Sequence, residues 1–189
     1  MSERIGEIVE ANTNSFTVQC YRLYESPPLG SIIQSGSPAV FGIITEISTQ
    51  PLDPFRPIIA MGADEPTEDE IYRSNPQLNN LLCTRLISLI IGHSDNDIFS
   101  HGLPPRPPKI HSFVYLSDSH EIENLAKSFD FLHLLLSSGA SDEVISACLR
   151  QISQKLSDGY AFLIESGQVL ATELIGQFPR LNAILRRLS

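Results

Sequence analysis

Apolar and polar positions along this chain follow two different periods, and the change comes near Asp118. Upstream, short apolar runs are separated by turn-forming residues. Ile5 to Val9 is the first, with Gly6 inside it and a turn at Ala11-Asn12-Thr13-Asn14. Phe16-Thr17-Val18-Gln19-Cys20-Tyr21 alternates apolar and polar, as a strand with one buried face does. Ser26-Pro27-Pro28-Leu29-Gly30 reads as a turn. Ser31 to Gln34 is another short strand, ended by Ser35-Gly36-Ser37-Pro38. Ala39 to Ile47 is the strongest strand in the chain, rich in β-branched residues. Its Gly42 suggests a bulge or tight bend.

Pro51, Pro54 and Pro57 make Thr49 to Ile58 a loop. Pro66 to Tyr72 reads as a short helix with a capping box from Thr67 to Glu70, stopped by Asn75-Pro76. Leu81 to Ile91 is long enough for a strand or a helix, and Ile87, Ile90 and Ile91 favour a strand. His93 to Asp97 reads as a turn. Leu103 to Pro108 carries Pro104, Pro105, Pro107 and Pro108, which bar a helix interior or a central strand. This segment is expected to run extended and to set the register of a closing strand, Ile110 to Leu116.

Downstream the period is helical. Ser117 or Asp118 is a natural cap for one helix through Ile122, Leu125, Phe129, Leu132 and Leu136, closed by Gly139. Ser141 starts a second, with Ile145, Cys148, Leu149, Ile152 and Leu156 on one face and Gly159 after it. Tyr160 to Ile175 is a third, weakened by Gly167. Pro179 suits the first turn of a last short helix ending in Leu185-Arg186-Arg187-Leu188. The expected fold class is therefore α+β: a small N-terminal β-barrel over residues 1–118 and a C-terminal helical region over residues 119–189.

Composition narrows the function classes. With 189 residues, 42% hydrophobic and 19% charged, the chain can bury a core without staples. A net charge of −9 argues against direct nucleic-acid binding, which needs clustered Lys and Arg. Cys20, Cys83 and Cys148 are scattered among apolar neighbours and read as reduced, buried thiols. The N-terminus lacks a signal-peptide pattern, and no apolar run approaches the ~18 residues of a membrane helix. A cytoplasmic protein is expected.

Four pieces in order carry a resemblance: Ile5-Gly6-Glu7-Ile8-Val9, Phe41 to Ile47, Tyr72 to Leu82 with Asn75-Pro76-Gln77-Leu78, and Pro104 to Tyr115. Together they resemble the HAS barrel, the small N-terminal β-barrel of HerA-type DNA-translocating ATPases, similar in form to the N-terminal domains of ATP synthase α and β subunits. The likeness covers roughly residues 4 to 120. It implies subunit contacts in a ring or docking to a partner. The ATPase does not follow, because the chain has no GxxxxGK[ST] phosphate-binding loop.

Candidate chemistry is sparse. Asp64, Glu65, Glu68, Asp69 and Glu70 offer oxygen ligands for Mg²⁺ or Ca²⁺, but lack the EF-hand ladder and read as a solvated acidic loop with helix-capping acids. His93, Asp95, Asp97 and His101 lie close in sequence and would converge on a metal if the turn allowed it. His133, between apolar neighbours, is expected to be partly buried and hydrogen-bonded. Ser35-Gly36-Ser37-Pro38 is not a nucleophile elbow, and Cys83 and Cys148 sit in surroundings too apolar for a reactive thiolate. Arg180, Arg186 and Arg187 are the basic concentration, read as a solvated helix end that suits the dipole.

The function expected is a non-enzymatic interaction or assembly module that self-associates or docks to a larger complex, an ATPase in the sense of the resemblance. No catalytic, cofactor-binding or metal residue and no small-molecule ligand is assigned. Two alternatives stand beside it: a metal-dependent hydrolase using the acidic loop and the His93–His101 turn, and an accessory factor in DNA processing.

Overall fold

The computed structural model describes residues 4–95 and 98–188. It has an N-terminal antiparallel sheet followed by helices. The strands are β1 (Arg4–Ala11), β2 (Ser15–Cys20), β3 (Ile32–Ser35), β4 (Ala39–Pro51), β5 (Leu82–Asp95), β6 (Ile98–His101) and β7 (Phe113–Leu116). They pair in the order β2-β1-β7-β3-β4-β5-β6. A further β2–β5 pairing, Ser15↔Leu89 to Gln19↔Arg85, returns the circuit of the first six to its start.

One face of these strands points into that ring. Ile8, Phe16, Val18, Cys20, Ile33, Val40, Ile44, Leu86, Ile90 and Val114 form its buried cluster. β1 and β2 carry polar residues such as Glu7, Thr17 and Gln19 on the other face, which explains their alternation. β3, β4 and β5 do not alternate. Ile32, Phe41, Ile43 and Ile91 form a second cluster with residues of the helices. The unbroken apolar run Phe41-Gly42-Ile43-Ile44 thus feeds two cores at once.

Gly42 lies at a shift of register, as its position suggested: Phe41 pairs with Gly92 and Gly42 with Ile90. A Cβ there would meet the Phe16 ring at 2.9 Å and the Ser88 hydroxyl, which donates to the Ile43 carbonyl at 3.1 Å.

Between β4 and β5 lie α1 (Glu68–Ser74) and the single turn α2 (Leu78–Leu81). After β7 come α3 (Ser119–Leu125), α4 (Asp130–Ser137), α5 (Asp142–Ser153), α6 (Gly159–Glu173) and α7 (Phe178–Arg186). α5 is the central helix, with Ile145, Cys148, Leu149 and Ile152 fully buried. The β2–β3 loop lies directly on it: a Cβ at Gly30 would fall against the backbone of Ala147 and Cys148.

Several boundaries differ from expectation. β4 runs on to Pro51 because β5 extends beside it, pairing Thr49 with Thr84 and Gln50 with Cys83. The proline-bearing loop therefore starts at Leu52. His93 to Asp95, expected in a turn, instead continue β5 and pair with β6; Asn96 and Asp97 of that expected turn lie outside the described residues. The closing strand starts at Phe113, not Ile110. Lys109 to Ser112 forms a turn, closed by Ser112 N–H to the Lys109 carbonyl at 3.2 Å, with His111 in the left-handed region at φ 65°.

The single helix expected after Asp118 is two. Asp118 caps α3 with a full capping box: its Oδ1 accepts from the Glu121 amide at 2.9 Å, and Glu121 Oε2 accepts from the Asp118 amide at 2.8 Å. α3 ends at Leu125. The Ser128 hydroxyl then accepts from the Asp130 amide at 3.2 Å, a local bond that competes with continuing the helix. Ile122, Leu125, Leu132 and Leu135 still reach one core.

Candidate interaction surface

The proline-bearing loop after β4 cannot pair or coil, and it carries apolar residues that find no core. Asp53 starts a turn in which its Oδ1 accepts from the Phe55 amide at 2.9 Å. Phe55 is left 93% exposed and Ile59 69% exposed. Leu52, Ile58, Ile59 and Met61 share the wall of one cleft of about 300 Å³ with Leu78 and Leu82. Large side chains gathered on one surface are uncommon unless something covers them. Sequence reasoning placed this loop but missed its surface. The signal was present: Leu52, Phe55, Ile58, Ile59 and Met61 are too apolar for a loop that prolines keep out of the sheet.

The loop is anchored at its far end. Gly62 lies under Ile71 of α1, where a Cβ would collide with the isoleucine side chain. The Thr67 hydroxyl caps α1 by accepting from the Glu70 amide at 3.4 Å, which is half of the expected capping box. Glu70 Oε1 meets Arg73 at 2.6 Å. Tyr24, in the left-handed region at φ 65°, donates its amide to Thr84 Oγ1 at 2.8 Å. Its hydroxyl bonds that of Tyr72 on α1. That bond, with burial, raises the Tyr24 phenol above its ordinary pKa. Glu68, Asp69 and Glu70 form the first turn of α1, where acids complement the helix dipole.

Nowhere among the described residues do three His, Cys, Asp or Glu side chains group as a metal site requires. His93 and His101 do not converge. His93 pairs with Ser100, and His101 with Gly92, so the two rings leave opposite faces of the β5–β6 ribbon. His101 packs edge-on to Phe99 at 4.7 Å, and burial holds its pKa below the ordinary value against the opposing pull of Asp130. His93 shares the face of its partner Val40 and lines a different cleft, against the Pro-rich segment. Asp97 lies outside the described residues.

His133 is exposed, contrary to expectation, although its Nδ1 does lie 3.2 Å from Glu173. The C-terminal arginines are engaged within the chain. Arg180 Nε donates to Asp142 at 2.8 Å, and Arg187 Nε to Glu143 at 2.5 Å, so both clamp α7 to the start of α5. All three cysteines are unpaired and buried. Burial, with Cys83 nearby, pushes the Cys20 thiol up to about 11, and burial alone raises Cys148. Neither suits a nucleophile at neutral pH.

No helix among the described residues is long and apolar enough to cross a membrane. No family model matches the chain, and comparison with curated proteins finds no significant match.

Proposed function

We propose that this chain is a non-enzymatic docking module of the HAS-barrel kind, joined to a larger complex through the loop after β4. The observation that carries this reading is the exposure of Leu52, Ile58, Ile59 and Met61 around one cleft, with Phe55 beside it. The cyclic pairing of six strands supports the barrel, since closure of a sheet needs such a circuit. The three unpaired thiols suit a reducing compartment, and we place the protein in the cytoplasm on that ground.

The occupant of the surface is a partner protein with an apolar insert and a basic rim, of the ATPase class that the resemblance implies. Asp53 and Arg56 both line the cleft, so the acidic balance of this face comes from Asp64, Glu65, Glu68, Asp69 and Glu70, which follow the loop directly. In a chain of net charge −9, two copies meeting through this acid-flanked face would repel, whereas a cationic rim would be drawn to it.

The test immobilises the full chain and its Phe55→Glu and Ile59→Glu variants in extract from the native source, with molar mass measured by light scattering. Both positions are exposed, so the variants keep the wild-type circular dichroism. An ATPase held by the wild type and weakened about tenfold or more by either variant supports the docking surface. A monomer that holds no ATPase, or one that both variants hold equally, overturns it. A dimer that the variants dissociate replaces the partner with a second copy.

A further inference from the structure

We propose that the cleft between the Pro-rich segment and the end of the strand ring binds the phosphate group of a small molecule. The cleft measures about 440 Å³ and is independent of the docking surface after β4. Its donors are His93 on β5, Arg106 on the Pro-rich segment, Lys109 at the start of the turn after it, and the hydroxyls of Ser37 and Ser112. The described lining contains no acid, although acidic residues outnumber basic ones 22 to 13 in the chain.

The arrangement follows from the fold. His93 pairs with Val40, and Val40 belongs to the cluster inside the ring, so the imidazole sits on the inner face at the ring's end. The Pro-rich segment lines one cleft with His93 and Val40. Pro104 and Pro108 are buried, while Arg106 between them is exposed. Proline on both sides holds the backbone around Arg106 with little freedom to lose on binding, and Lys109 opens the turn that the Ser112 amide closes on its carbonyl at 3.2 Å.

Two features point to a ligand. Among the residues lining the cleft, His93 has a buried Nδ1 with no hydrogen-bond partner; Arg85, His101 and Ser117 have such an atom elsewhere. Arg106 and Lys109 make no ion pair among the described residues, unlike Arg73, Arg180 and Arg187. An imidazole, a guanidinium, an ammonium and two hydroxyls present more donors than a carboxylate needs. They match a phosphate, which accepts from several directions. The volume exceeds that of the ion alone and falls within the usual range for small-molecule pockets, so room remains for an organic body against the proline rings.

Inorganic phosphate, a nucleoside monophosphate and a short single-stranded oligonucleotide are titrated separately into the full chain by calorimetry at constant ionic strength. The same titrations are run on the Arg106→Gln/Lys109→Gln double variant and on His93→Gln. Both cationic positions are exposed, so the double variant keeps the wild-type unfolding midpoint. Saturable binding of phosphate or of the monophosphate, weakened tenfold or more in the double variant, is the expected result. Tighter binding of the monophosphate identifies an organic phosphate as the ligand, and equal binding identifies the free ion. Absence of binding up to millimolar ligand, binding unaltered in the double variant, or binding of the oligonucleotide alone overturns the proposal.

Discussion

Gly30 shows how one residue can tie two parts of the chain together. Its φ of +82° disfavours any side chain, and the backbone of α5 occupies the space a Cβ would need. Gly139 has a similar φ of +76° but nothing within 4 Å. Gly139→Ala should therefore cost about 1 kcal/mol, from the left-handed conformation alone. Gly30→Ala should cost at least about 2 kcal/mol more, because overpacking is added to it. Urea unfolding of the two variants measures the difference. His101 sets a pH dependence. Its folded pKa is held below 6.5, so as pH falls through that value the unfolded chain takes up a proton that the native ring resists. Stability should fall between about pH 7 and pH 5, and His101→Gln should flatten that part of the profile. The contrast between His93 and His101 was not legible in the sequence. Eight residues apart in what reads as a turn, they suggest convergence. The register of β5 on β6 sends them to opposite faces.

Among the elements, strand and helix types followed the sequence closely and their ends did not. β1, β2 and α5 to α7 lie where periodicity put them, because each has one face set by its own pattern. β4 and β5 outran their expected limits because each stabilises the other: a polar strand end such as Thr49-Gln50 looks like loop until its partner is known. The break between α3 and α4 coincides with the bond from the Asp130 amide to the Ser128 hydroxyl, and Ser128 reads in the sequence as an ordinary helix-surface residue. The cap of α3 was legible, and Asp118→Ala should cost about 1 kcal/mol in thermal or urea unfolding. Gln34 on β3 also bonds Glu121, so the same change should raise amide exchange across α3 where it meets the sheet. At the other end, Arg180 holds Asp142 and the Ala140 carbonyl. Arg180→Gln should speed exchange in α7 more than in α5, since α5 keeps its own buried face.

The whole molecule is held by two cores that share strands. The inner cluster fills the ring, and the outer one joins Ile32, Phe41, Ile43 and Ile91 to the helices. Truncation to residues 1–118 should therefore uncover the outer face of β3, β4 and β5. The fragment is expected to bind a hydrophobic dye and to self-associate, and a monodisperse, dye-silent fragment would contradict this. The strand-rich half followed by a helical half, the α3 cap, the bulge at Gly42 and the burial of the three cysteines were all legible along the chain. These rest on local period, backbone chemistry or side-chain type, which neighbours in sequence express. That β2 meets β5, that the loop at Leu52 to Met61 stays uncovered, and that Arg106 and Lys109 share a cleft with His93 came from the folded arrangement. Those facts depend on pairings between residues far apart in the chain, and no local pattern carries that information.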